Sequence, residues 1–339
     1  MLNTDKQIRW LGRLFVLLAA TQVSAEVPMT EWGTPSFEGT WDFKTATPYE
    51  RPAQYKDKEF LTPEEVATIE ANIAAGREAY ANMDFDEAAK NEGKQSDVDV
   101  GYNAFFLDLA TKLGKSGRTS LVVDPPDGRV PKPHQAAIDR YVSERDKWER
   151  PPRGPEDRNA YDRCIKGFNA GPPMTSGAYN NMMQIVQSPT HMAIHVEMVN
   201  DHRVIPMSGG EVLPSHMRFW NGNSVGEWQG DTLVVTTTNF NDSQMFRLTG
   251  PDMKLVERFT RLDEDTLEYR YTVEDDFAYP VPFTVIHEMN KTDKDVFEYA
   301  CHEGNYAMSL MLKGARKQEE DGTAAEDDTW LPSWSKPRS

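Results

Sequence analysis

Cysteine is nearly missing from this chain: Cys164 and Cys301 are the only two among 339 residues. So few thiols exclude a disulfide-dense small scaffold and a zinc module built on closely spaced cysteine pairs. One distant pair favours a single disulfide closing a loop of more than a hundred residues, a constraint worth on the order of 4 kcal/mol. Basic residues are also in deficit, with Lys and Arg numbering 37 against 54 Asp and Glu, a net charge of -17. An acidic chain without a basic stripe repels nucleic acid and anionic membrane surfaces, so neither is expected as a partner.

Several chemical signatures are absent as well. The sequence holds no G-x-G-x-x-G, no phosphate loop, no H-E-x-x-H and no H-x-H, so nucleotide cofactors and a zinc centre are not expected. There is no G-x-S-x-G elbow; Ser224 in Gly222-Asn223-Ser224-Val225-Gly226 has the wrong spacing and precedes a tryptophan-rich turn, not a helix. The apolar stretch Leu14 to Val23 is too short to span a bilayer. With Lys6, Arg9 and Arg13 before it and Val23-Ser24-Ala25 after it, it reads as a signal peptide over residues 1–25. Its removal would take away a net charge of +2 and leave the chain at -19, in the periplasm or outside the cell.

What the chain does have is a run of strands. Trp220 to Phe240 carries glycines at 222, 226 and 230, and after Gly230-Asp231 a β-branched run from Thr232 to Thr238 predicts a strand. Period-two segments surround it: Met183 to Gln187, Met192 to Met198, Val204 to Met207, Leu255 to Arg261, Leu267 to Val273, Phe283 to Met289 and Val296 to Cys301. The short loops between them imply antiparallel neighbours, and closure removes exposed edges. The expected fold is mainly β, an antiparallel meander closing into a lipocalin-like β-barrel, with several helices from the N-terminal half packed outside.

The organisation predicted is an N-terminal strand with a helical and loop wrap over 26–182, the barrel over 183–304, a helix over 305–318 and a disordered acidic tail over 319–339. Ser36 to Phe43 is the opening strand, and Thr119 to Asp124 precedes a rigid proline turn. Thr62-Pro63-Glu64-Glu65 is a capping box, starting a helix to about Met83 whose Val66, Ile69 and Ile73 should dock on the barrel. Further helices are predicted over Asn103 to Leu113, Gln135 to Arg150 and Glu156 to Lys166, with a loop over Asp84 to Gly101.

Two resemblances attach to these residues. Gly39-x-Trp41 is similar to the opening of lipocalins, in which the indole closes one end of the barrel. The text L-V-V-D-P-P-D-G-R-V-P from Leu121, Arg163-Cys164, Arg203-Val204-Ile205-Pro206, the G-D-T-L-V-V block from Gly230, and Y-A-C-H-E-G-N-Y from Tyr299 resemble a large family of exported bacterial proteins. The family's arginine-proline-histidine step is replaced here by Gly210-Glu211-Val212, with His216 nearby. The resemblance implies a secreted β-rich fold and names no substrate.

Seven histidines raise the question of a metal. His191 and His195 are about 13 Å apart along a strand, too far for one ion, whereas His195 and Glu197 share a face and could use a cross-strand partner. A metal-free acid–base site is the preferred expectation. Glu197 or His302 would be the base, Arg203 the holder of oxyanion or carboxylate charge, and Glu303 the orienting group, with Tyr179, His195, Arg258 and His287 contacting substrate. Bland readings compete: Glu197 and Arg203 pairing with one another, Glu257 and Arg258 on a solvated face, His302 on a backbone carbonyl. The function expected is a cofactor-independent lyase, dehydratase or isomerase acting on a small, partly apolar molecule in a barrel cavity; the alternative is a lipocalin-like carrier in which that cavity only binds.

Overall fold

The structure, a computed structural model, describes residues 27–83, 107–207, 213–243 and 246–323. Among these residues it contains the strands β1 (Gly39–Asp42), β2 (Val122–Asp124), β3 (Met182–Gln187), β4 (His191–Val196) and β5 (Asp201–Pro206). They are followed by β6 (Asn223–Gln229), β7 (Thr232–Thr238), β8 (Lys254–Arg261), β9 (Thr266–Glu274) and β10 (Phe283–Thr292). The helices are α1 (Pro63–Ala81), α2 (Gln135–Glu149) and α3 (Ala307–Glu320). None of them is long and apolar enough to cross a membrane.

Nine strands run side by side in the order β5-β4-β3-β1-β10-β9-β8-β7-β6, every ladder antiparallel. The two outer strands of this path meet at a parallel bridge between Met207 and Gly226, so the sheet curls into a nearly closed barrel. Gly226 is what the seam needs: a β-carbon there would lie 2.9 Å from Met207 Sδ and 3.3 Å from Ile205 Cγ2. The fold is the antiparallel barrel expected from the strand pattern. Its closure depends on the N-terminal part of the chain, because β1 fills the gap between β3 and β10. The ten-residue β10 takes two partners on one edge, β1 at Asn290–Thr292 and β2 at Thr284–Val285.

Side-chain period two sorts each strand into an inner and an outer face. Leu255, Glu257, Phe259 and Arg261 of β8 are buried while Val256, Arg258 and Thr260 are partly open. Tyr269, Tyr271 and Val273 of β9 and Phe283, Val285, His287 and Met289 of β10 continue the inner layer. The interior is a packed core. At the lower end, where the short β3–β4, β6–β7 and β8–β9 turns lie, Trp41 is wholly buried and donates from Nε1 to the Phe37 carbonyl at 2.9 Å. Arg261 lies over the indole, 4.8 Å from its centroid, and donates to the Ser36 carbonyl at 2.6 Å. Phe37 adds Trp228 at 5.4 Å and Phe259 at 6.5 Å, so aromatic rings plug this end.

The upper end carries the long connections. Residues 168–181 cross it, with Met174 buried and its amide donating to the Tyr269 hydroxyl at 3.2 Å. The β7–β8 connection is clamped to α2 by Arg140, which donates to the Thr249 and Asp242 carbonyls at 3.0 and 2.6 Å. Cys164 and Cys301 lie at disulfide distance, with Cα atoms 5.8 Å apart.

The capping box is present: Thr62 Oγ1 accepts from Glu65 N at 3.3 Å, and Glu65 accepts from Thr62 N at 2.7 Å. Other expectations need correction. No residue of α1 is buried; the helix rests on the extended 107–113 segment, where Leu113 N donates to Glu70 at 3.0 Å, and does not lie directly on the strands. Residues 107–113 and 158–166 are not helical; of the helix expected over Glu156 to Lys166 there is only a 3-10 turn, Pro155–Asp157, at its start. Val296 to Cys301 alternates like a strand yet is irregular. The edge it would need on β10 is already taken by β1 and β2. The acidic stretch from Glu319 begins inside α3, which runs to Glu320. The signal segment, the Asp84 to Gly101 loop, Asn103 to Phe106, the Gly210-Glu211-Val212 step and the tail after Thr323 lie outside the described residues.

Candidate functional site

A polar network crosses the barrel from β5 to β9. Arg203 of β5 grips Glu257 of β8 with two parallel bonds, 2.7 and 2.6 Å, the fork geometry that makes arginine–carboxylate pairs strong. Tyr269 of β9 donates to the same carboxylate at 2.6 Å. Thr237 of β7 lies 3.5 Å from it and 2.8 Å from the Ser224 hydroxyl of β6. Glu257 is entirely buried and the Arg203 side chain is 9% exposed. Burial opposes the charge on Arg203, but Glu257 outweighs it and lifts the guanidinium pKa above its ordinary value. Burial, helped by the Glu257 charge, holds the Tyr269 hydroxyl far above its ordinary range, so it stays a donor. Each lone pair of the carboxylate faces a donor. The network is satisfied within itself, as a buried pair must be.

A second polar knot sits at the upper end. Lys166, buried, donates to Asp201 at 2.9 Å and makes short contacts to the Gly171 carbonyl and Asn221. Burial lowers its pKa, partly offset by Asp201. Asn221 Nδ2 donates to the other Asp201 oxygen at 2.8 Å. A hollow of about 10 Å³ beside it, lined by Asp201, His202, Arg203 and Asn221, has room for one water molecule.

Among the described residues, two hollows of ligand size lie outside the barrel wall. One, about 700 Å³, is lined by Ile73, Arg77 and Tyr80 of α1 and by Leu107 and Leu109. The other, about 390 Å³, opens at the upper end and is lined by Tyr141 and Trp148 of α2, Tyr161, and Arg247 and Leu248 of the β7–β8 connection. Arg158 holds the Tyr161 turn on α2 by donating to the Trp148 carbonyl at 2.6 Å. Burial lifts the Tyr161 hydroxyl pKa, and Tyr141 adds to the effect. Arg247 stacks on Tyr49, 3.5 Å from the ring centroid, and Tyr49 shares a hydroxyl contact of 3.0 Å with Tyr271 of the barrel interior. Arg247 and Leu248 both take left-handed backbone, φ 49° and 74°. Non-glycine residues hold that conformation at a cost of about 1–3 kcal/mol each, and such residues cluster at functional sites.

The residues singled out from the sequence are scattered across these features. Glu197, in the β4–β5 turn, is buried and accepts from the Phe297 amide at 3.2 Å, anchoring the segment after β10. Arg203 faces inward on Glu257, not on Glu197. His302 and Glu303 are exposed in the irregular stretch after that segment. The structure therefore does not bring Glu197, Arg203, His302 and Glu303 into one site. Tyr179 packs edge-on against Phe168 at 5.3 Å. His195 and Arg258 face outward, bonded to Asn200 at 2.7 Å and Gln229 at 3.1 Å. Glu257, read as part of a solvated face, is the centre of the interior. The signal was available: Leu255 and Phe259 flank it at period two, which puts all three on one face.

His287 is inside the barrel, edge-on to Phe43 at 6.4 Å, with Nε2 unpartnered among the described residues. Burial drives its pKa down to about 4, the Phe43 carbonyl opposing. The unfolded chain takes up a proton near pH 6.5, the folded one only near 4, so the His287 contribution is complete above about 6.5 and is lost as pH falls toward 4. The linkage amounts to about 3 kcal/mol across that window. His287→Leu should flatten the fall in urea midpoint between pH 6.5 and 4; an unchanged slope would remove His287 as its source.

Among the described residues no group of three or more His, Cys, Asp or Glu is placed to hold a metal ion. Comparison of the chain with family models, curated proteins and solved structures gave no match.

Proposed function

We propose that this protein takes up a small, partly apolar organic molecule bearing an acidic group, at the upper end of the barrel, in an exported setting. The observation that carries the reading is the cleft of about 390 Å³ lined by Tyr141, Trp148 and Tyr161 together with Arg247, whose guanidinium rests on the Tyr49 ring. Aromatic rings with one cation suit a planar apolar body and a carboxylate. The packed barrel serves as the rigid platform that holds the long connections in place, the usual division between scaffold and binding loops. The low cysteine count with one pair at disulfide distance fits an oxidising compartment, and the resemblance to exported proteins points the same way.

The test is mass spectrometry of small molecules that co-purify with the native full chain, followed by titration of the recovered compound. Arg247→Ala should weaken binding roughly ten- to a hundredfold, the loss of about 1.5–3 kcal/mol for a charged hydrogen bond. Equal affinity in Arg247→Ala and Trp148→Ala would end the assignment to this cleft.

The acid–base reading has one observation in its favour. Arg203 borders the water-sized hollow at the upper end, beside Asp201 and His202. It predicts that the recovered compound is converted on incubation. Release of the compound unchanged by the unmodified protein leaves the carrier reading in place.

A further inference from the structure

The outer face of the barrel carries a histidine pair. Adjacent strands β4 and β5 place His195 directly opposite His202, with Gln184 of β3 opposite His195 on its other side. Directly paired residues on one face have β-carbons roughly 4.5–5.5 Å apart, a span that two imidazoles can bridge through one ion at about 2.0–2.1 Å from each nitrogen. His202 is exposed and His195 half-buried, so water can complete the coordination.

A second observation prepares His195 for this role. Its Nε2 lies 2.7 Å from Asn200 Oδ1. A carbonyl oxygen only accepts, so Nε2 carries the proton and Nδ1 keeps its lone pair. Metal-binding histidines are usually fixed in this way, by an oxygen acceptor on the nitrogen that faces away from the metal. The turn that supplies Asn200 is built for it: Val199 and Asn200 are both left-handed, φ 52° and 55°, and Asn200 N donates to the Glu197 carbonyl at 3.1 Å. That fold brings the amide back over the strand.

The geometry points to a late transition-metal site on the outer barrel face, with His195 Nδ1 and a ring nitrogen of His202 as protein ligands and water in the remaining positions. Two imidazoles favour Cu²⁺ over Zn²⁺ and Ni²⁺ by the ordinary order of divalent affinities. The site is separate from the upper cleft and does not depend on its occupant. Neither ligand lies in the barrel core, so substitution leaves the fold intact.

The test uses the full chain at neutral pH with one equivalent of Cu²⁺, read by electron paramagnetic resonance and by competition with a chromophoric chelator. Two equatorial imidazole nitrogens are expected. His195→Ala and His202→Ala should each leave one nitrogen and weaken affinity at least tenfold, and Asn200→Ala should weaken it by about tenfold through the lost orientation. His191→Ala and His302→Ala should change neither reading. A one-nitrogen signal in the unmodified protein, or full affinity in His202→Ala, overturns the assignment and leaves only scattered single-histidine binding.

Discussion

Glu257→Ala should destabilise the protein by about 3–5 kcal/mol, the usual cost of removing one partner of a buried ion pair. The size follows from what is left behind. Arg203 stays positively charged at any accessible pH, and its side chain is only 9% exposed. Tyr269, wholly buried, loses the acceptor of its 2.6 Å bond. Glu257→Gln keeps the shape but removes the charge, so it should lose most of the same energy.

The informative variant is the pair. Arg203→Met with Glu257→Leu removes both charges and fills the volume with apolar side chains, and it should recover much of the loss, since apolar replacement of a buried pair is often neutral or better. Urea denaturation is the measurement, with an unchanged slope showing that the midpoint shift is a change in stability. The coupling between the two positions comes from the full double-mutant cycle. A single-variant cost under about 1 kcal/mol would mean that water reaches the pair, and that the barrel is looser than its packing implies.

The second large effect is expected at the cysteines. Cys164 and Cys301 are 137 residues apart, and closing so long a loop in the unfolded chain is worth roughly 4–5 kcal/mol by chain entropy. Cys164→Ala with Cys301→Ala should lower the denaturation midpoint accordingly. The effect should also be local. After β10 the chain is held by the Phe297–Glu197 bond, by a half-buried Tyr299 and by α3, of which only Ala315 is buried. Without the bridge, limited proteolysis should cut between Asp293 and Asn305 before the barrel. A midpoint that reductant does not move, with the same cleavage pattern, would show that the bridge does not hold this segment.

Glu257 also shows how far one strand can be read alone. Alternation assigns each residue to a face, so Leu255, Glu257 and Phe259 belong together, and the solvated-face reading overlooked that constraint. Alternation does not say which residue on another strand will face it. Arg203 and Glu257 are separated by two hairpins and the barrel seam, and only closure at Met207 and Gly226 brings their strands near one another. The same limit explains Val296 to Cys301, whose pattern suits a strand but which has no free edge to join.

By itself, the sequence determined most of the strands and the antiparallel pairing of the consecutive ones, the start of α1 and the pairing of two lone cysteines. Each rests on short-range rules, on the alternation of side chains, on capping geometry or on the lack of any alternative partner. The sequence missed β6, whose Asn223–Gln229 reads as a tryptophan-rich turn, and placed a strand at Val296 to Cys301 that does not form. Tertiary structure decided that the four residues of β1 complete the barrel, that its interior is packed with apolar and aromatic side chains around the buried Arg203–Glu257 pair, and that two ligand-sized hollows among the described residues lie outside its wall. These features come from contacts between residues far apart in the chain, which no local pattern encodes.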